Sequence, residues 1–237
     1  MRSINVSASS IKDFLVCSKR YYYRINNSES GIPTLPMKVG TLVHKVMESA
    51  YGLDYKKALE LGNKEIEVLG LVGEEKEFAL NKLKLSLEHY YKFFNGLVSS
   101  EDQIEKYFKI SIGTNVNMVG RIDRLNTTKK LIIDWKTSQR DPFQINTDIQ
   151  FLLYKHAYSL IYKEKPVSVL YANLFTGKLL SLVDEEYKNY HNLFDSTIPT
   201  MVSRIKIGDI KYEGLKKKNA CNSCPFKQQC EMEGGRK

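Results

Sequence analysis

The stretch from Ile122 to Lys136 reads IDRLNTTKKLIIDWK and limits the possible folds more than any other part of the chain. Asp123 comes first, then a polar turn at Asn126 to Lys130. The apolar run Leu131-Ile132-Ile133 follows, then Asp134, Trp135 and Lys136. This is the pattern of a β-hairpin. Alternate strand residues share a face, so Asp134 and Lys136 point the same way. Hard divalent ions such as Mg²⁺ take oxygen ligands, often one or two carboxylates, and Asp123 and Asp134 can converge on one ion. Such an ion polarises a phosphoryl oxygen and acidifies water. Lys136 would then orient that water or offset charge on phosphorus. The competing reading is two strand-end acids balanced by basic neighbours.

The surrounding segments set this hairpin in a larger sheet. Tyr107, Phe108, Ile110 and Ile112 are strand-like, Gly113 to Asn117 reads as a turn, and Met118 to Leu125 as the next strand. With Leu131 to Lys136 these form an antiparallel meander. Thr137 to Asn146 is a polar loop. A helix follows, capped near Thr147 or Asp148, with Gln150 and Tyr154 one turn apart on one face. Val167 to Phe175 is a fourth strand, closed by Thr176-Gly177. Asp184 to about Ile207 is a further helix.

Ahead of the sheet, Ser7 to Ser10 cap a helix that runs towards Cys17. Lys19 to Arg24 form a basic and aromatic cluster, either a nucleic-acid surface or half-buried tyrosines beside a solvated face. Asn26 to Pro36 is a loop. Gly40 to Glu48 begin a helix that puts Gly40 and His44 on one face. A small residue there admits another backbone, and the histidine one turn on can reach a shared site. Tyr55 to about Phe94 make helices with breaks near Gly62 and Gly70 to Gly73, a side layer without visible chemistry. The order of elements specifies an α/β domain with a mixed central sheet flanked by helices.

Of 237 residues, 42% are hydrophobic, enough for a buried core. The formal net charge of +9, from 36 basic and 27 acidic residues, points to a polyanionic partner, nucleic acid before membrane. Lys206, Lys211, Lys216, Lys217 and Lys218 extend that basic character, or form a solvated surface. No P-loop motif, repeat, secretory leader or membrane-length apolar run is present, so the expectation is an intracellular, cytoplasmic protein without a membrane partner.

The cysteines form a second constellation. Cys221 and Cys224 have metal-ligand spacing, Cys230 follows within reach, and Cys17 completes four thiolates. An intracellular chain seldom uses such a set for disulfides. Structural Zn²⁺ and a 4Fe–4S cluster both fit. Either would fasten the tail to the first helix.

In order, Gly40-x-x-x-His44, Gly120-x-x-Asp123, Asp134-x-Lys136 and Gln150-x-x-x-Tyr154 resemble the motif series of the RecB-type branch of the PD-(D/E)XK nuclease superfamily. With Cys17 and the Cys221-x-x-Cys224-Pro225…Cys230 frame, the resemblance narrows to an iron–sulfur subgroup. That subgroup includes the CRISPR-associated adaptation exonucleases and the AddB nuclease domain. It covers nearly the whole chain and implies a restriction-endonuclease-like core. By that resemblance His44, Asp123 and Asp134 would ligate Mg²⁺ or Mn²⁺, with the Trp135 carbonyl as a further ligand. Lys136 would be the catalytic lysine, and Gln150 and Tyr154 would position the strand and the site. Cys17, Cys221, Cys224 and Cys230 would hold a 4Fe–4S cluster, and Glu105 is a candidate upstream acid. Ile133 stands where the superfamily's name has proline, a common departure.

The resemblance implies a metal-dependent DNA nuclease, an exonuclease on single-stranded ends, in a CRISPR, viral or repair setting. Residues 1–237 would form one nuclease domain, with a helical side layer at 52–100 and a cysteine tail at 208–237. An integrase or helicase partner is implied, since no RecB helicase module accompanies the motifs. The alternatives are a non-catalytic iron–sulfur DNA-binding or scaffold subunit, and an iron–sulfur redox sensor that binds DNA.

Overall fold

The computed structural model describes residues 3–26, 33–142, 145, 148–166, 168–182, 187–208, 220–222 and 224–234. Lys211 and Lys216 to Lys218 of the basic run lie outside these residues, as do Thr147 and the start of the helix read from Asp184.

The sheet is organised on one long strand. β1 (Ile4–Val6), β2 (Gln103–Gly113), β3 (Val116–Asn126), β4 (Leu131–Lys136), β5 (Ser168–Asn173) and β6 (Leu179–Ser181) make six strands in the order β1-β3-β4-β5-β6, with β2 also on β3. β2, β3 and β4 are the expected antiparallel meander. The turn between β2 and β3 is shorter than Gly113 to Asn117: the ladder reaches Gly113 and Val116, and only Thr114 and Asn115 are left between them.

β2 covers one edge of β3 from Val116 to Leu125. β1 and β4 therefore share the opposite edge. β1 pairs in parallel at Val116 to Met118, and β4 pairs antiparallel at Arg124 to Asn126. Between them the sheet forks, and Val119 to Asp123 have no strand partner on that edge. β1 is too short to show alternation in sequence. α6 (Ile149–Tyr162) carries the chain from β4 to the parallel β5, and β6 then turns back antiparallel.

Helices cover both faces. α1 (Ala8–Val16), α6 and α8 (Ile198–Lys206) pack on one, burying Ile11, Phe14, Phe151, Ala157 and Met201 with Met118 and Ile132. α3 (Leu35–Ser49), α4 (Tyr55–Val68) and α5 (Gly73–His89) pack on the other, burying Val43, Met47, Ile66 and Leu83 with Ile133 and Trp135. The alternation of Ile132 and Ile133 between the two cores puts Asp134 and Lys136 on the α6 side.

Local chemistry explains where the helices begin. Ser7 starts α1 with a reciprocal capping box to Ser10. Asp148 caps α6 through the Gln150 N–H at 2.8 Å. Gly62 is no break. It lies inside α4, where an added Cβ would stand 2.3 Å from Leu83, so it is the close-packing point of α4 on α5. The last long helical region runs unbroken through the described residues: α7 (Tyr187–His191) passes through a π turn, Asn192–Thr197, into α8.

α1 and α2 (Ser18–Asn26) form a corner. The buried Asp13 carboxylate holds it, receiving Arg20 Nε at 2.9 Å and Arg24 Nε at 2.5 Å. Within α2, Tyr21 and Tyr23 are buried and Tyr22 is exposed, so two of the three rings serve packing. Tyr23 meets Phe226 from the tail and donates to Glu233 at 2.6 Å. The tail helix α9 (Lys227–Met232) thus rests on α2. No helix among the described residues is long and apolar enough to cross a membrane.

Candidate active site

The fork in the sheet creates the site. Past the pair Arg124–Ile133 the β3–β4 ladder stops, and the Trp135 N–H needs another acceptor. The Asp123 carboxylate supplies it at 2.7 Å. On the same open edge of β3 the Arg121 carbonyl accepts from the Tyr154 hydroxyl at 2.5 Å. Side chains thus replace backbone pairing where β1 and β4 diverge.

α3 brings His44 to this point. Its Nδ1 stands 3.4 Å from Asp123 Oδ2, and its ring is hydrogen-bonded to the Trp135 carbonyl. Gly40, one turn earlier, faces Thr137, whose Oγ1 would lie 3.1 Å from an added Cβ. The close neighbour at Gly40 is this side chain, just after Lys136, and not the backbone that the sequence led one to expect.

Glu105 completes a trio. Ligand atoms of His44, Glu105 and Asp123 lie within 4.8 Å of one another. Glu105 reaches this place through a left-handed backbone, φ 49°, two residues into β2. A non-glycine residue in that region costs about 1–3 kcal/mol, and such strain concentrates at functional sites. The sequence reading carried Glu105 only through a family likeness, because a strand's periodicity gives no sign of a kink.

Asp134 lies beside this trio in a network of its own. It is 1% exposed. Its Oδ2 pairs with Lys136 Nζ at 2.6 Å, and its Oδ1 accepts from Gln150 Nε2 at 2.9 Å and lies 3.3 Å from the Tyr154 hydroxyl. Gln150 Oε1 also accepts from Lys136 Nζ at 2.9 Å. Gln150 therefore bridges the acid and the lysine, and Tyr154 pins Gln150 at 2.7 Å. The helical spacing of Gln150 and Tyr154 puts both on the α6 face towards β4.

Electrostatics follow from burial. Burial, then repulsion from Asp134, holds the Asp123 carboxyl well above the usual carboxylate range. Burial lowers His44, and Lys136 and Lys82 add to this while Asp134 opposes it. The imidazole is thus neutral near pH 7, the form that binds metals. Burial would lower Lys136, but Asp134 and Asp123 outweigh it and its ammonium is kept. Burial and the two aspartates raise Tyr154, which stays a neutral donor. The chain's own cations leave Asp123 undercompensated. One imidazole, two or three carboxylates and a main-chain carbonyl are a donor set that suits a hard divalent cation.

The trio and Lys136 open on a groove of about 860 Å³, whose wall includes Lys45, Lys82 and Arg121. Gln150 and Tyr154 line a separate pocket of about 270 Å³ in the fork, beside Gly120 and the start of α1. Gly120 is fixed by packing, since an added Cβ would meet the Phe108 ring at 2.4 Å.

The four cysteines form another site. Cys17, at the α1–α2 corner, lines one pocket with Cys221, Cys224 and Cys230, and none of them is in a disulfide. Lys19, Arg20 and Lys227 surround it, and it shares no wall with the groove. No three of the sulfurs lie within 4.8 Å of one another. Burial raises the Cys224 and Cys230 thiols.

Comparison with known proteins gives one family. The family model of the PD-(D/E)XK nuclease superfamily matches residues 5–231. No curated protein matches significantly. Among solved structures, a candidate exonuclease of Eubacterium rectale superposes with a TM-score of 0.63 at 14% identity, over 92% of this chain and 86% of that one. At that identity the likeness concerns fold. The structure of SSO0001 aligns over 98% of this chain and 88% of its own at 14% identity, with a TM-score of 0.41.

Proposed function

This chain belongs to the PD-(D/E)XK nuclease superfamily, and from that premise we propose that it is a divalent-metal-dependent deoxyribonuclease, an exonuclease acting on single-stranded ends. The observation that carries the reading is the convergence of His44, Glu105 and Asp123 to within 4.8 Å beside Lys136. His44, Glu105, Asp123 and the Trp135 carbonyl would hold Mg²⁺ or Mn²⁺, with Asp134 next to them. When bound, the ion supplies Lewis-acid charge at the phosphoryl oxygen and acidifies water.

The remaining roles belong to the chain. Asp123 holds the Trp135 main chain, so the carbonyl and the carboxylate keep their relative positions. Lys136 keeps its proton through Asp134 and faces the groove, where it orients the attacking water or offsets charge on phosphorus. Gln150 fixes the Lys136 ammonium, and Tyr154 fixes Gln150. Water adds at phosphorus, the bond to one sugar oxygen breaks, and that oxygen takes a proton. The preference for single strands rests on a groove walled by lysines, which suits a flexible backbone.

The cysteines are read as ligands of a structural 4Fe–4S cluster, within one nuclease domain of residues 1–237. In that domain 52–100 is a helical side layer and 208–237 the tail that completes the cluster with Cys17. The support for a cluster over zinc is the likeness of this cysteine frame to that of the iron–sulfur subgroup. Such a nuclease would work in a CRISPR, viral or repair setting beside an integrase or helicase.

End-labelled single- and double-stranded DNA, incubated with Mg²⁺ or Mn²⁺ and anaerobically purified protein, tests the proposal. Cutting should require metal and disappear in Asp134→Ala. A folded, cluster-loaded protein that cuts nothing would leave the scaffold role instead.

A further inference from the structure

Lys82 lies on α5, in the helical layer whose sequence offers no chemistry. It is 8% exposed, and Ala79, Leu83 and Ser86 around it are fully buried. Its side chain nevertheless lines the groove that holds His44, Asp123 and Lys136, and its charge acts on His44. The stem is packed and the ammonium reaches the groove, as a snorkelling lysine does.

The other cations of this groove are all occupied. Lys136 pairs with Asp134 at 2.6 Å, Lys45 with Glu65 at 2.7 Å and Arg121 with Glu105 at 3.4 Å. Among the described residues Lys82 has neither a carboxylate nor a hydrogen-bond acceptor. An unpaired cation in such a place costs stability. A methionine would fill the same volume without that cost. A charge kept there against stability implies an anion that arrives with the ligand.

We propose that the Lys82 ammonium binds a backbone phosphate of the nucleic-acid strand in the groove, next to the phosphate that is cut. This rests on the nuclease reading for its setting and adds a contact outside the superfamily motifs. Lysine suits the role because it meets phosphate as a mobile point charge.

The test compares wild type, Lys82→Met and Lys82→Arg. Binding of a labelled single-stranded oligonucleotide is measured without divalent metal, across a salt series, and cleavage is measured with Mg²⁺. Loss of one charge-assisted contact should weaken binding by about tenfold in Lys82→Met. The slope of log K against log salt should fall by about 0.7. KM should rise by a similar factor with kcat nearly unchanged, and Lys82→Arg should restore most of the affinity. Lys82→Met should also melt no lower than wild type, which a structural lysine would not allow. Equal binding and an unchanged salt slope in Lys82→Met would overturn the contact. Lys82-dependent binding by a wild-type protein that cuts nothing would sink the nuclease reading and keep the contact.

Discussion

The Arg124 guanidinium donates a hydrogen bond of 2.8 Å to the Met47 carbonyl. A second, at 3.3 Å, goes to the Glu48 carbonyl, and Asp102 lies 3.8 Å away. These carbonyls belong to the last turn of α3, which has no partners of its own. Arg124 follows Asp123, and α3 carries His44. One strand therefore grips one helix twice, at its ligand and at its end. Arg124→Met should destabilise the fold by about 3 kcal/mol, because it also leaves the buried Asp102 without its cation. Urea unfolding measures this. A loss below about 0.5 kcal/mol would show that the grip is dispensable.

Gly120 and Phe108 should be coupled. Gly120→Ala places a methyl group into the Phe108 ring and should cost about 1–3 kcal/mol. Phe108→Leu opens that space. The double variant should be more stable than the sum of the two single losses predicts, by about 1 kcal/mol. Strict additivity would mean that the ring moves aside at no cost.

Gln150→Ala removes the bridge between Asp134 and Lys136 without touching the trio. Cleavage should fall by about 10- to 100-fold, the usual effect of losing a group that orients a ligand. The melting temperature should stay near that of wild type. An unchanged rate would show that Lys136 is held by Asp134 alone.

Anaerobically purified protein should carry about four irons per chain if the cysteines hold a 4Fe–4S cluster. Cys224→Ser should lose that iron and melt lower. One zinc per chain would replace the cluster with a single ion, and a metal-free, equally stable protein would reduce the four residues to plain thiols.

How much of this was legible in the sequence depended on periodicity. Asp134 and Lys136 follow an apolar run on a regular strand, and Gln150 and Tyr154 lie on a regular helix, so spacing alone placed them. The meander and the mixed sheet were legible for the same reason. β1 was not, since three residues show no period and its pairing is with residues far along the chain. Glu105, which meets His44 and Asp123, has a positive φ near the start of β2, and sequence alternation implies the opposite of a kink. Lys82 looks like any helical lysine. Only the packing of Gly62 against Leu83 and of α3 beside it shows that this lysine is enclosed. Gly62 itself read as a break because a glycine that admits a neighbour and a glycine that ends a helix look alike in one sequence.

The fork also has a consequence for the order of assembly. Ile4 pairs with Val116, so the first strand must wait for a partner made much later in the chain. The β2–β3 hairpin has only Thr114 and Asn115 between its ladders and forms from local contacts. β1, and with it the corner that carries Cys17, is expected to dock on a hairpin already in place. Pulse-labelled hydrogen exchange during refolding should protect Tyr107 to Ile110 before Ile4 to Val6. Simultaneous protection would indicate one concerted closure. In the ordered case the side of the fork nearest α1 is the last part of the sheet to become native, and a chain stalled before that step would expose the β3 edge to pairing with another copy.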